Sequence, residues 1–340
     1  MLKPPKEGQI QMNFAYVLAS DENDIYYEQM LVSLISLKHW NPDAYVCLVI
    51  DDDTADSFSN PLRKRHEVFV DEVKIIHFAF SKGKHYRSRF LKTTLRENLK
   101  GDYLYVDTDT IFCEKIDGEI FSSDIMGVDD HHQLPSNFSK WPEITKDIRK
   151  AGFSEKNIDH YVNGGVLWMK DSEKAHHFFS LWHSLWIESL EKGVIADQPS
   201  LNETNKRLSK MIDILPGEYN CQISANLKYL HKAKIIHCFA STVSNVEKQN
   251  FAYIFLNLNF YLDIKRRPIT SDDERLIFDA KSAFDGREFI LLGSNDVIIY
   301  RTNLYGFIRC LFLSNRGRWL FEFMDKLVKA VVFLLWRNKK

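Results

Sequence analysis

Tyr103-Leu104-Tyr105-Val106-Asp107-Thr108-Asp109-Thr110-Ile111-Phe112 sets two carboxylates between two apolar runs. The first run is short and rich in Tyr and Val, as buried strands are. Acids enclosed by apolar segments are unfavourable unless something compensates them. Residues i and i+2 of an extended segment point the same way, so the spacing predicts Asp107 and Asp109 turned toward one ligand. Two oxygen donors with room for water and phosphate suit a hard divalent cation such as Mn²⁺ or Mg²⁺. A D-x-D pair also arises by chance where acids cap turns. Asp51-Asp52-Asp53 is a rival that follows an apolar run too; because it leads into the polar stretch 54–60, it reads as a solvated turn.

Upstream and downstream of this stretch, strand-like and helix-like segments alternate. Residues 14–19, 45–50, 73–78 and 103–106 are apolar runs rich in Val, Ile and Tyr. Between the first two, residues 26–40 place Met30, Leu31, Leu34, Ile35 and Leu37 near helical spacing, and 87–99 predicts another helix ending at Gly101. Residues 60–70 suggest a further helix, and 129–153 a more irregular insertion. A strand pattern returns at 161–169, an amphipathic helix follows at 173–190, and 235–239 reads as one more short strand. Alternation of this kind predicts an α/β fold, with a mostly parallel sheet flanked by helices. In such sheets ligands gather at the carboxyl ends of the strands. The pattern changes after about residue 240, which suggests a catalytic domain over 12–240 and a helical C-terminal extension over 241–340.

Composition narrows the class. The 340 residues are 45% apolar and 27% charged, as in ordinary globular proteins. Aromatics make up 13%, enough for core packing and for stacking surfaces in a groove. The net charge of −1 hides an asymmetry: nine basic residues stand against Glu322 and Asp325 between Arg301 and Lys340. A neutral to acidic body with a basic, apolar tail speaks against nucleic acid and for an anionic membrane surface. Residues 319–336 read as a basic amphipathic helix lying in the interface, since four charges interrupt a segment too short to span a bilayer. The alternative is a helix packed on the domain or in a dimer. Five widely spaced cysteines with no C-x-x-C point to a reducing compartment. Residues 1–11 carry no apolar signal region, so the expected address is cytoplasmic, on the inner face of the cell membrane.

Three further segments bear on chemistry. Tyr161-Val162-Asn163-Gly164-Gly165-Val166-Leu167 puts an amide and two glycines into an apolar strand, where glycine often marks close approach of a ligand or another backbone. Asp197-Gln198-Pro199-Ser200 puts an acid and an amide before a Pro suited to start a helix. Ile235-Ile236-His237-Cys238-Phe239 presents one imidazole within an apolar strand. Each has an ordinary structural explanation alone: packing glycine, helix cap, core histidine.

As an ordered series (DTD, NGG, DQ, then a late strand with His), these motifs resemble glycosyltransferase family 8, which includes glycogenin and bacterial retaining galactosyl- and glucosyltransferases. They resemble still more closely the transferases of capsule and surface-polysaccharide clusters. The resemblance covers about residues 13–240 and implies a GT-A fold acting on a nucleotide sugar, with uridine the preferred base. By resemblance, Asp107, Asp109 and His237 bind the metal. Ala19, Asp21 and Asn23 meet the base, Arg89 contacts the donor near its diphosphate, and Lys92 is a candidate beside it. Asn163, Gly164 and Gly165 line the donor sugar, while Asp197 and Gln198 face its hydroxyls and anomeric carbon. The implied partners are a saccharide or lipid-linked saccharide acceptor and the membrane surface.

One departure stands out. After the histidine the family often has a Gly and a Lys that close over the diphosphate, whereas Cys238-Phe239-Ala240-Ser241-Thr242-Val243-Ser244 has neither, and Lys248 is distant. Two rival readings are a nucleotidyltransferase acting on sugar phosphates and a catalytically silent saccharide-binding or scaffold protein. The first usually needs a glycine-rich basic loop after its first strand, which residues 19–23 lack.

Overall fold

Successive residues of the first strand, β1 (Asn13–Leu18), enter different cores. Phe14, Tyr16 and Leu18 face one side, and Ala15 and Val17 the other. The same alternation holds in β2 (Tyr45–Asp51) and β4 (Tyr103–Val106). A strand with both faces buried is apolar throughout, which is why these runs stand out in the sequence. The computed structural model describes residues 12–78, 83–138, 141–225, 227–238 and 253–284, and further along 307–308, 311, 317, 319–320 and 322–329.

Seven strands form the main sheet in the order β3-β2-β1-β4-β7-β6-β8, with β3 (Glu72–Ile76), β6 (Ile125–Asp129), β7 (Val162–Met169) and β8 (Ile212–Ile214). Only β7 runs antiparallel to its neighbours. The chain winds outward from β1 in both directions, which opens a crevice at the carboxyl ends of β1 and β4. A second sheet joins β5 (Thr110–Phe112), β10 (Ile235–His237) and β9 (Cys221–Gln222), in that order.

Helix α1 (Tyr26–Trp40) covers one face of the sheet, in the core that also takes in the second sheet, α8 (Leu258–Arg266) and α9 (Ser271–Phe278). The other core draws on α3 (Lys84–Thr93), α4 (Leu95–Asn98), α6 (Glu173–Glu191) and α7 (Gln198–Arg207). Two further helices lie among these elements: α2 (Asp52–Ser57), and α5 (Trp141–Lys150) within the expected irregular insertion.

Several expectations are revised. The single helix over 87–99 is broken between α3 and α4 at Thr94, whose hydroxyl donates back to the Phe90 carbonyl at 2.8 Å. Side chains that bond to helix carbonyls in this way bend helices. Residues 60–70 form two 3₁₀ turns, Pro61–Arg63 and Arg65–Val68. Of the acids at 51–53, Asp52 and Asp53 are solvated but Asp51 is not: it is 1% exposed, accepts the Thr54 amide at the start of α2, and is ion-paired with Arg87. By its contacts the chain divides into two compact units, Met1–Phe289 and Ile290–Lys340, with Tyr253, Phe255, Tyr261, Ile264 and Ile277 in the core of the first. Within that second unit the described residues 319–320 and 322–329 are helical; the rest of the expected 319–336 helix lies outside the described residues. Asn202 is buried, its amide bonded to the backbone of Val162.

Arg87 is the partner that makes a buried Asp51 tolerable. Removing one member of a buried pair leaves an uncompensated charge, at a cost of about 3–5 kcal/mol. Arg87→Ala should therefore lower the urea midpoint by a matching amount, and adding Asp51→Asn should recover part of the loss. An unchanged midpoint would show that Asp51 does not depend on the pair.

Candidate active site

The site begins where β4 ends. Val106 still pairs with Val166 in the main sheet, and the next amide, Asp107, donates to the Gly165 carbonyl at 2.7 Å. The chain then turns through Thr108 and Asp109, closed by the Thr110 hydroxyl on the Asp107 carbonyl at 2.8 Å. It re-enters pairing as β5 of the second sheet, with Thr110 opposite His237. The Cys238 amide donates to the Asp109 carbonyl at 2.8 Å. The segment expected to be extended is thus a turn between two sheets, and its carboxylates converge for that reason.

Ligand atoms of Asp107, Asp109 and His237 lie within 4.8 Å of one another. His237 Nε2 is 3.2 Å from Asp109 Oδ1 and 3.7 Å from Asp107 Oδ2. Burial opposes a charge on the His237 ring, but the carboxylates of Asp109 and Asp107 outweigh it and hold the pKa above the ordinary imidazole value. Gly165 makes the approach possible. A Cβ there would sit 2.8 Å from His237 Nδ1 and 2.9 Å from Asp107 Oδ2, and closer still to His237 Cε1. Two carboxylates and one imidazole so gathered are a donor set suited to Mn²⁺ or a similar divalent cation.

Two cations flank these acids. Arg89 and Lys92 stand three apart on α3 and so share a face. Lys92 Nζ bridges Asp107 Oδ1 at 3.2 Å and Asp197 Oδ2 at 3.4 Å, and Arg89 Nε meets Asp197 Oδ1 at 3.0 Å. Lys92 is buried, unlike a residue of a solvated helix face. Burial pushes the Asp197 carboxyl up, yet Lys92 and Arg89 outweigh it and hold its pKa below the usual carboxylate range. Although Asp197 precedes α7, its side chain does not cap that helix. The Asp197 carbonyl is pinned instead by the Trp182 indole at 3.1 Å and the Leu201 amide at 3.0 Å.

These groups open onto a cavity of about 430 Å³. Its lining includes Ala19, Asn23, Arg89, Lys92, Asp107, Asp109, Asn163, Gly164, Gly165, Asp197, Gln198 and His237, so nearly all the expected site residues come together. Asp21 is the exception: it turns aside to Lys84 at 3.0 Å and to the Asn23 amide at 2.7 Å, and does not line the cavity. Asn163 borders the cavity, but its oxygen already accepts from Gly165 N and Asn220 Nδ2. Gln198 lies beside the buried Tyr161 phenol. The segment 239–252, with the missing Gly and Lys and with Lys248, lies outside the described residues.

Sequence reasoning missed Tyr26, Gln29, Lys84, His85, Leu258 and Leu262, which also line the cavity. Lys84 and His85 open α3 one turn before Arg89, so a basic cluster at a helix start was the available signal. Leu258 and Leu262 are i and i+4 on α8, beyond the segment covered by the motifs, and nothing in the sequence marks them.

No family profile and no curated protein sequence matches this chain. Solved structures do. The apo structure of the bifunctional glycosyltransferase WbbM has a TM-score of 0.50 at 13% identity, covering 82% of this chain and 53% of that one. The fold is GT-A. The galactosyltransferase LgtC, in complex with donor and acceptor sugar analogs, has a TM-score of 0.49 at 12% identity, covering 78% and 100%. The glycosyltransferase GlyE of Streptococcus pneumoniae in its apo form has 0.45 at 14%, covering 79% and 62%. The chain thus spans about half the length of WbbM.

Gly165→Ala should separate His237 from Asp107 and weaken Mn²⁺ binding by about tenfold or more, read by titration with paramagnetic resonance. Unchanged affinity would show that the ring and the carboxylate need not share that gap.

Proposed function

We propose that this protein is a metal-dependent glycosyltransferase that moves a hexose from a nucleoside diphosphate sugar, preferably uridine-linked, to a saccharide or lipid-linked saccharide acceptor. The observation that carries this reading is the convergence of Asp107, Asp109 and His237 beside Arg89 and Lys92, at the strand ends of a GT-A sheet. The motif resemblance adds the donor class, the retaining outcome and a role in bacterial surface-glycan synthesis.

Breaking the bond between the sugar and the diphosphate builds negative charge on the departing oxygen and positive charge on the ring. A divalent cation held by Asp107, Asp109 and His237 would act there as a Lewis acid. Arg89 and Lys92 stabilise the same departing charge, as fixed donors do where charge develops. They also take over the diphosphate closure that the family's Gly and Lys provide. Gln198 and Asp197 serve the sugar. Both Asp197 oxygens lie against cations, which disfavours it as a nucleophile for a double displacement. Transfer on one face fits better: the acceptor hydroxyl forms the new C–O bond as the old one breaks, its electron pair passing to the phosphate oxygen. That oxygen accepts the hydroxyl proton.

Calorimetric titration with UDP should show binding that depends on Mn²⁺ and is largely lost with a chelator. Gln198→Ala should lose most of kcat with little change in UDP affinity, since its role lies at the sugar. Equal UDP affinity with and without metal, or normal turnover by the variant, would contradict these assignments.

We further propose peripheral attachment through the carboxyl-terminal helix. No helix among the described residues is long and apolar enough to cross a membrane. Trp319, Phe323 and Leu327, each four apart, are exposed at 71%, 52% and 52%. An exposed apolar stripe in a basic segment suits an anionic interface, where each basic residue contributes about 1 kcal/mol that salt screens. The full chain should co-sediment with anionic liposomes at low salt, and removal of 315–340 should abolish this while donor hydrolysis persists. Retained binding after truncation would assign the contact to another segment.

A further inference from the structure

Behind His237 runs a chain of buried polar groups that ends at Asp130. His237 Nδ1 lies 3.0 Å from Asn220 Oδ1, in the 3₁₀ turn Gly217–Asn220. Asn220 Nδ2 lies 3.0 Å from Asn163 Oδ1, and Asn163 Nδ2 lies 3.0 Å from Asp130 Oδ1. All four residues are buried. The direction of every bond in this chain can be deduced from one fixed donor. The Gly165 backbone N–H can only donate, so the Asn163 atom 2.9 Å from it is the carbonyl oxygen. The Asn163 amide nitrogen must then face Asp130, a carboxylate that accepts. The Asn220 atom facing the Asn163 oxygen must in turn be its NH₂. That leaves the Asn220 carbonyl oxygen for His237, and an oxygen without a proton can only accept.

We propose that Asn220 is a positioning residue for His237. Through Asn163, the Gly165 amide and Asp130 orient Asn220 as an acceptor, and Asn220 keeps the ring proton on Nδ1. In the neutral ring Nε2 then carries the lone pair, on the side of Asp109 and Asp107. Outer groups that fix the tautomer of a ligating histidine commonly change metal affinity 10- to 100-fold when removed. This inference rests on the reading of Asp107, Asp109 and His237 as a metal site.

The test is a Mn²⁺ titration of the full chain in the presence of UDP, read by paramagnetic resonance, with thermal unfolding of each metal-free variant alongside. Asn220→Leu removes the acceptor at similar volume and should weaken Mn²⁺ binding by about 10- to 100-fold. Asn220→Asp keeps an acceptor toward Nδ1 while disturbing the contact with Asn163, and should stay within about threefold of the parent. Parental affinity in Asn220→Leu overturns the inference. So does a tenfold or greater loss in Asn220→Asp, which decides the matter alone if the leucine variant does not fold. A parent chain that binds no Mn²⁺, or an Asp109→Asn variant that binds it equally well, overturns the metal reading and this inference with it.

Discussion

Two backbone hydrogen bonds hold the centre of this molecule together: Asp107 N–H to the Gly165 carbonyl, and Cys238 N–H to the Asp109 carbonyl. They fasten the turn Asp107-Thr108-Asp109 to β7 on one side and to the end of β10 on the other. Because the turn passes from one sheet to another, its acids need not follow the alternation of a strand. Each is carried by a rigid pairing, and His237 is brought in by its register with Thr110. Sites mounted on paired strands hold their geometry better than sites on free loops. Gly165 then removes the last obstacle between imidazole and carboxylate.

The electrostatics of the site follow from this crowding. Asp107, Asp109 and Asp197 supply three negative charges, against the two positive charges of Arg89 and Lys92. Burial opposes a charge on the His237 ring, but that shortage is felt there: the Asp109 and Asp107 carboxylates hold its pKa above the ordinary imidazole value. A divalent cation would answer the same need, with His237 binding it in the neutral form that metal ligation requires. The pairing also explains why the Asp197 carboxyl, though buried, keeps a pKa below the usual carboxylate range: Lys92 and Arg89 outweigh its burial.

Much of this was legible in the sequence where physics acts locally. Buried strands announced themselves as apolar runs, and the helix expected over residues 26–40 has those bounds, Tyr26–Trp40. The motifs picked out residues that share one cavity, because a strand end tolerates acids, amides and glycines only for a reason. What stayed hidden depends on distant partners. Asp51 looked solvated because Arg87 lies 36 positions away. Asn220 carries no local signal, since its meaning comes from Asn163 and His237. Leu258 and Leu262 enter the cavity from a helix whose own sequence shows only that it packs. Short strands such as β8 and β9 take their form from neighbours and not from their two or three residues.

We propose that this arrangement activates a nucleotide sugar at its anomeric carbon with the help of a divalent metal. Incubation of the full chain with a panel of nucleotide sugars, with Mn²⁺ and with chelator, tests it most directly, with free sugar and nucleotide products resolved by mass spectrometry. A nucleoside diphosphate and free sugar should be released from a subset of donors, uridine-linked ones first, only when metal is present. Donors left intact throughout, release unaffected by chelator, or cleavage between the two phosphates to give a sugar phosphate would contradict it.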